Sequence, residues 1–95
     1  MFPLRLVEVK LRVEPSGPGV GITIVGGINS PSGDLPLLVK RVLPGSLAEA
    51  SGVLKPADEL VAVNETLLVG TTKDFAASCL SKMEGDVRLL VLQDY

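Results

Sequence analysis

The segment from Gly17 to Gly27, GPGVGITIVGG, places five glycines beside a run of valine and isoleucine. Glycine reaches backbone conformations with positive φ and lets another group approach the main chain closely, whereas the β-branched residues favour an extended, half-buried strand. Backbone N–H groups that no side chain covers can hold an anion through their dipoles. The segment therefore predicts a loop whose main chain contacts a ligand.

Two other interpretations compete for these glycines. A dinucleotide-binding loop needs a helix directly after its glycines, and the β-branched residues from Ile22 to Val25 are poor choices for the start of a helix. A plain hairpin turn would need the glycines for its backbone geometry alone and would bind nothing. The glycine pattern by itself argues against a dinucleotide site and leaves the hairpin turn open.

Side chains that perform catalysis or hold metals are scarce in this chain. It contains no histidine, which removes the commonest general base and the commonest metal ligand. Cys79 is the one cysteine and cannot form an internal disulfide, so we interpret it as a buried structural thiol in a reducing compartment. Asp58 and Glu59 would point to opposite faces of a strand, and we interpret them as a turn residue and a surface charge. We therefore expect no enzyme activity, no metal and no cofactor.

Size and charge restrict the classes of protein further. The 95 residues carry 9 basic and 11 acidic side chains without a basic stripe, so nucleic acid is not an expected partner. The chain is 46% apolar but only 3% aromatic, so aliphatic side chains must fill its core. It shows neither an apolar run of transmembrane length nor a signal peptide. We expect one intracellular domain, residues 1–95, with its core at about residues 6–92.

Hydrophobic periodicity predicts six extended segments. From Val7 to Glu14 apolar residues alternate with charged ones, which is the pattern of a strand with one buried face. The sequence INSPSGD, Ile28 to Asp34, is typical of a polar loop. The predicted segments are Val7–Glu14, Val20–Val25, Leu37–Leu43, Glu59–Val63, a brief piece at Leu67–Val69, and Val87–Leu92.

Capping signals predict two helices. Ser46 and Glu49 form a capping box, and Gly52 ends a helix of one or two turns. Thr71 or Thr72 caps a longer helix that ends at Gly85. The apolar stripe of this helix consists of Phe75, Ala76, Cys79, Leu80 and Met83. Together these elements predict an all-β or α+β fold, a small, partly open antiparallel β-barrel of five to six strands capped by two α-helices.

Three blocks of this sequence resemble the PDZ domain family. GVGITIVGG, Gly19 to Gly27, is similar to the family's carboxylate-binding loop and second strand, X-Φ-Gly-Φ followed by a strand and commonly Gly-Gly. VLPGSLAEASGVLKPADELVAVNE, Val42 to Glu65, is similar to the family's G-x-A-x-x-x-G-x-L-x-x-G-D-x-I-x-x-V-N-G. GTTKDFAASCLSKMEGDVRLLVL matches the final helix and strand, and the resemblance extends from about Leu6 to Leu92.

The resemblance implies a module that binds the free C-terminal ends of other proteins by adding them as a strand to its sheet. The peptide carboxylate would lie on the backbone N–H groups of Val20, Gly21 and Ile22, and a side chain at Gly21 would block its approach. Thr23, Ile24, Val25, Lys73, Ala77 and Leu80 would form the groove. Val20, Ile22, Ile24 and Leu80 would also line the pocket for the last side chain, and ordinary core packing is the alternative for these four.

The sequence departs from the family pattern at the start of the long helix. Lys73 stands where the commonest specificity class has histidine, and lysine cannot accept a hydrogen bond from a ligand hydroxyl. We expect the ligand residue two positions before the C-terminal one, position −2, to be acidic or phosphorylated, or else to be apolar and to pack against the stem of Lys73 and Ala77. Projection of Lys73 into water is the alternative.

Further departures affect the turns and the carboxylate loop. Ala57 and Glu65 replace glycines of the family pattern, which costs on the order of 1 kcal/mol at each site that keeps a positive φ. No basic residue stands just before the glycine loop, a place that Arg12 or Lys40 could fill from neighbouring strands.

The expected partners are C-terminal tails of membrane or signalling proteins, in the cytoplasm at the inner face of the plasma membrane or at cell junctions. The chain begins with the strand that precedes the glycine loop. This order argues against the regulatory PDZ domains of proteases, which are usually circularly permuted. The alternative function is a dimerising or phosphoinositide-binding, membrane-associated module. Weak lipid contact would use Lys40, Arg41, Lys55, Lys73 and Lys82, and self-association would use an exposed strand edge.

Overall fold

Six strands and two helices follow one another in the predicted order in a computed structural model that describes residues 4–15, 17 and 19–94. The elements are β1 (Leu4–Val13), β2 (Ile22–Gly26), β3 (Leu37–Val42), α1 (Leu47–Ser51), β4 (Glu59–Val63), β5 (Thr66–Leu67), α2 (Lys73–Ser81) and β6 (Gly85–Asp94). Within the described ranges, no helix is long and apolar enough to cross a membrane.

The strands form one antiparallel sheet in the order β1-β6-β4-β3-β2, with β5 attached to β4. β1 and β2 lie at the two ends of this path, so the sheet is not closed. The longest pair is β1 with β6, and its register places Leu4 opposite Asp94. This architecture confirms the predicted fold, a small, partly open antiparallel barrel with two helices.

Aliphatic residues fill the core, as the composition requires. Alternation along β1 buries Val9 and Val13, and alternation along β6 buries Val87, Leu89 and Val91. Leu60, Val63, Leu68, Val39 and Ala48 are buried with them. Each fully buried valine or leucine contributes roughly 1.5 to 3 kcal/mol, so these side chains supply most of the driving force for folding.

α1 begins and ends at the predicted residues. The hydroxyl of Ser46 accepts a hydrogen bond from the N–H of Glu49, and the Glu49 carboxylate accepts one from the N–H of Gly45. Gly52 follows the last turn with φ 71°. The glutamate thus satisfies the amide one residue before the cap, rather than the amide of Ser46 itself.

α2 is shorter than predicted. It ends at Ser81, and Gly85 opens β6 instead of ending the helix. Ala76 is buried, while Cys79, Leu80 and Met83 are half-buried against the core. The predicted stripe is wrong for Phe75, which is 46% exposed. One residue turns a helix by about 100°, so Phe75 falls to the side of the narrow face centred on Ala76.

Two further details differ from the prediction. β5 is Thr66–Leu67 rather than Leu67–Val69, because the chain turns inward after Leu67 and buries Leu68. Asp58 is a turn residue but is only 5% exposed, and its carboxylate accepts hydrogen bonds from the Lys55 N–H and from Gln93 Nε2. Side-chain acceptors of this kind stabilise turns, and here one is buried with its donors.

Candidate functional site

The end of β2 is fastened to the start of α2. Gly27 pairs with Thr72, and the N–H of Ile28 donates to the Thr71 carbonyl at 3.0 Å. Gly27 has φ 85°, and a Cβ there would lie 2.7 Å from the Lys73 nitrogen, so the approach requires glycine. From this anchor α2 runs back beside β2, which brings its last turn to the first residues of the strand.

A groove of about 370 Å³ lies between β2 and α2. It brings together eight of the nine residues predicted for the site. These are Val20, Gly21, Ile22, Thr23 and Ile24 from the loop and strand, with Lys73, Ala77 and Leu80 from the helix. Gly19, Leu43 and Ser81 complete the lining, and sequence patterns alone gave no sign of Leu43 because it follows β3 in the chain.

Val25 lies outside this lining. Its place is the wall of a neighbouring depression of about 700 Å³, which the loop between β2 and β3 shares with the first turn of α2. Lys73 borders both spaces, so the two adjoin at the start of the helix.

Two peptide groups at the start of β2 are oriented by their carbonyls. The Val20 carbonyl accepts from the Ala48 N–H at 3.0 Å, and the Gly21 carbonyl accepts from the Leu43 N–H at 2.9 Å. All peptide bonds of the described chain are trans, so the N–H of Gly21 and the N–H of Ile22 point in the opposite directions. The Ile22 N–H therefore points away from β3, and the Gly21 N–H points away from α1.

Within residues 4–15, 17 and 19–94, neither Val20 nor Gly21 donates a hydrogen bond to a turn or loop carbonyl. The two amides and that of Ile22 follow one another around Gly21, which has φ 90°. Successive N–H groups in such a turn form a concave anion site without any cationic side chain.

Gly21 is required by packing inside the protein. A Cβ at this position would lie 2.1 Å from the Cβ of Ser46, the residue that caps α1. A side chain here would therefore clash with Ser46 within the protein, in addition to the expected obstruction of a ligand. The absence of a side chain lets α1 sit directly behind the loop.

Part of the β2 backbone points away from β3, on the side where no strand of the described residues pairs with it. In an antiparallel pair, residues alternate between those bonded to the neighbour and those pointing away. Just before β2 the Leu43 N–H donates to the Gly21 carbonyl, and just after it the Gly27 N–H donates to the Pro36 carbonyl. A register shift lies between Thr23 and Ile24. Alternation from Gly21 forward makes Ile22 point away from β3, and alternation from Gly27 backward makes Ile24 point away from it. These two residues also pack on the core with half-buried side chains, so the groove and the core share them.

The groove is nearly free of charge. Lys73 is the one charged residue among the described residues that line it, and it is exposed on the first turn of α2 with Ala77 one turn later. No ion pair of Lys73 is present in the described part of the chain. Arg12 pairs with Asp86 at 3.0 Å, and neither Arg12 nor Lys40 lines the groove. Neither supplies the missing basic residue beside the loop.

In the part of the chain that the structure describes, no group of three or more potential metal-ligand residues is found. Cys79 is half-buried rather than fully buried. The arrangement is thus an apolar groove with main-chain donors at one end and a lysine at the other.

Comparison with known proteins gives concordant matches. The family model of the PDZ domain matches residues 8–92. The chain is 42% identical over 82 residues to the Multiple PDZ domain protein of Homo sapiens, covering 86% of this chain and 4% of that protein. It thus spans a small part of the relatives it matches.

Solved structures agree with this match. The second PDZ domain of Dlg1 from the choanoflagellate Monosiga brevicollis superposes with a TM-score of 0.81 at 27% identity, covering 92% of this chain and 97% of that one. The third PDZ domain of INAD, solved in complex with a TRP channel tail, has a TM-score of 0.75 at 30% identity, covering 93% of this chain and 86% of that one.

Proposed function

This chain belongs to the PDZ domain family of non-catalytic, peptide-binding interaction modules, and from this premise we propose that it binds the C-terminal peptides of partner proteins beside β2. The peptide adds to the sheet as a further antiparallel strand. The outward backbone groups of Ile22 and Ile24 hydrogen-bond its main chain. The N–H groups of Gly21 and Ile22 carry this proposal, because the carbonyls on the other side of the same peptide groups are bonded to Ala48 and Leu43, which turns the Gly21 N–H away from α1 and the Ile22 N–H away from β3.

The peptide carboxylate lies on the N–H groups of Val20, Gly21 and Ile22. No lysine or arginine lines that end of the groove among the described residues, so backbone dipoles alone compensate the charge. The last side chain of the peptide enters the apolar wall made by Val20, Ile22, Ile24 and Leu80. Val20 is 4% exposed and packs in the core, so it contributes to this surface from the bottom of the pocket.

Position −2 of the peptide passes Lys73 and Ala77. The antiparallel course of α2 beside β2 supports a peptide whose carboxylate lies at the Leu80 end of the groove and whose earlier residues lie at the Lys73 end. An acidic or phosphorylated residue at −2 pairs with the Lys73 ammonium, and an apolar residue packs on the lysine stem beside Ala77. The small area of such a contact supports micromolar affinity, roughly −7 to −9 kcal/mol.

The partners proposed are the C-terminal tails of membrane or signalling proteins, bound in the cytoplasm at the inner face of the plasma membrane or at cell junctions. This assignment rests on the membership of the family and on a relative that contains several such domains. The domain itself contributes capture of a peptide end and no chemistry.

A screen of C-terminal peptides tests the proposal. Each peptide that binds is synthesised again as its C-terminal amide, which removes the charge that the loop holds while it leaves every side chain in place. Amidation is expected to abolish measurable binding in isothermal titration calorimetry. Amides that bind as well as free acids would refute the carboxylate site.

A further inference from the structure

β1 is the second open end of the sheet. This ten-residue strand pairs with β6 on one side, and within residues 4–15, 17 and 19–94 no strand pairs with its other side. Two of its leucines are unusually accessible, Leu4 at 54% and Leu6 at 57%. A long edge strand with exposed apolar side chains is a template for pairing with another strand.

The register of the sheet identifies which backbone groups of β1 are unpaired. The Asn64 N–H donates to the Arg88 carbonyl at 2.7 Å, so even-numbered residues of β6 bond toward β4 and odd-numbered ones toward β1. β1 and β6 pair Val7 with Val91 and Val9 with Leu89. The odd residues of β1 are therefore bonded to β6, and the even residues point their N–H and C=O groups outward.

We propose that two copies of this domain pair through β1, antiparallel about a two-fold axis at Val9, so that Glu8 of each copy lies opposite the partner's Lys10. Outward-facing groups bond only to outward-facing groups, so even residues must meet even residues. Successive allowed registers therefore differ in which residue lies on the two-fold axis.

Charge selects among these registers. An axis at Glu8 places two glutamates opposite each other, and an axis at Lys10 places two lysines opposite each other, both of which are unfavourable. An axis at Val9 makes two Glu8–Lys10 pairs at once. Glu8 and Lys10 also lie 3.8 Å apart within one chain, with side chains 47% and 76% exposed, so both charges are already on the accessible edge.

The same register covers the exposed leucines. Leu6 faces the partner's Arg12, whose aliphatic stem can pack on it, and Leu4 faces the partner's Glu14. Because β1 and β2 are opposite ends of the strand order, this contact leaves both peptide grooves free. The dimer is then a bivalent receptor that gains avidity for clustered peptide ends. A single edge contact is small, so the dimer is weak and forms at high local concentration.

Sedimentation equilibrium over a concentration series up to the millimolar range tests the proposal. The unmodified chain is expected to dimerise, and Glu8→Lys or Lys10→Glu alone is expected to weaken the dimer about tenfold, since each turns two attractive pairs into repulsive ones. An equimolar mixture of the two variants is expected to recover the original affinity, and so is the double variant E8K/K10E. Matched charge reversals away from the edge, Lys40→Glu and Glu65→Lys, should leave dimerisation unchanged.

Several outcomes overturn the proposal. A chain that stays monomeric throughout the series has no such contact. A dimer that neither charge reversal weakens uses another surface, and a double variant that fails to recover pairs in another register. Thermal unfolding of each variant establishes that it is folded, which is expected because all four side chains are exposed.

Discussion

Ala57 shows how a single residue can hold an unfavourable backbone conformation. It has φ 77°, and its N–H donates to the Val39 carbonyl at 2.8 Å, so the turn before β4 keeps the geometry that glycine would give it. Glu65, the other residue that replaces a family glycine, is not among the described residues with positive φ. Asn64 carries φ 51° there instead. Asparagine tolerates this region better than most residues, so the second turn has largely avoided the strain.

Ala57→Gly is therefore expected to raise the free energy of unfolding by about 1 kcal/mol, because it removes the clash of Cβ in a left-handed conformation. Urea denaturation measures the change. Ala50→Gly, on the exposed face of α1, is the matched control and should lower stability by roughly 0.5 to 1 kcal/mol. Equal effects of the two substitutions would contradict the strain at Ala57.

Gly21→Ala is expected to lower the free energy of unfolding by roughly 2 to 4 kcal/mol, from positive φ together with the contact on Ser46. Ser46→Gly removes the obstructing atoms and alone costs only a few tenths of a kcal/mol at a helix N-cap. In that background Gly21→Ala should cost only the conformational part, about 1 to 2 kcal/mol. A double-mutant cycle with no coupling would show that Ser46 does not set the requirement for glycine.

At the scale of elements, the sequence predicted the strands and helices where one physical signal dominates. Strict alternation identified β1, and paired caps identified α1. The length of α2 was misjudged because Gly85 is a permitted helix end as well as a permitted strand start. The prediction that Phe75 belongs to the buried stripe of α2 is wrong, because periodicity indicates which side of a helix is apolar but not how wide the buried face is.

Contacts between distant elements could not be predicted. Gln93 illustrates this, since its Nε2 donates both to the Val53 carbonyl at 2.7 Å and to the Asp58 carboxylate at 2.8 Å. It ties the end of β6 to the turn before β4, across 35 residues of sequence. A glutamine in the last strand has no local signal that announces this role.

Gln93→Leu is expected to destabilise the domain by about 1.5 to 3 kcal/mol, because the buried Asp58 carboxylate loses a hydrogen-bond donor. Thermal and urea unfolding both report the loss. Asp94→Asn, on the exposed neighbour, should change stability by less than about 0.5 kcal/mol. A fully stable Gln93→Leu variant would mean that the network adds nothing to the fold.

At the scale of the whole molecule, the sequence predicted which residues line the groove more completely than how the elements around the groove pack. The resemblance of three motif blocks named nine site residues, and eight of them line the groove that the structure shows. It could not reveal that Ser46 lies behind Gly21 or that Val25 turns toward the neighbouring depression. Both depend on how β2, α1 and α2 meet in space.

Lys73→Glu is expected to weaken binding of peptides with an acidic residue at −2 by about three- to fivefold, and the loss should shrink at high salt, as for an exposed ion pair. Lys82→Glu makes the same charge change beyond the end of α2, outside the groove lining, and should leave this preference unaltered. Fluorescence polarisation on a peptide array measures both. Arrays in which serine or threonine at −2 outperforms acidic and apolar residues would contradict the role of Lys73.

The pairing of Leu4 with Asp94 has a mechanical consequence. If the domain is part of a longer polypeptide, the chain enters at Leu4 and leaves at Asp94, two residues that lie side by side. The rest of the domain then projects to one side of the line between the flanking segments. A pulling force applied to the flanking segments acts first on the hydrogen bonds next to Leu4 and Asp94. The β1–β6 hydrogen bonds then break one after another rather than all at once. Such a module yields to pulling from its ends while the groove at the far end of the sheet stays intact until β1 has peeled away.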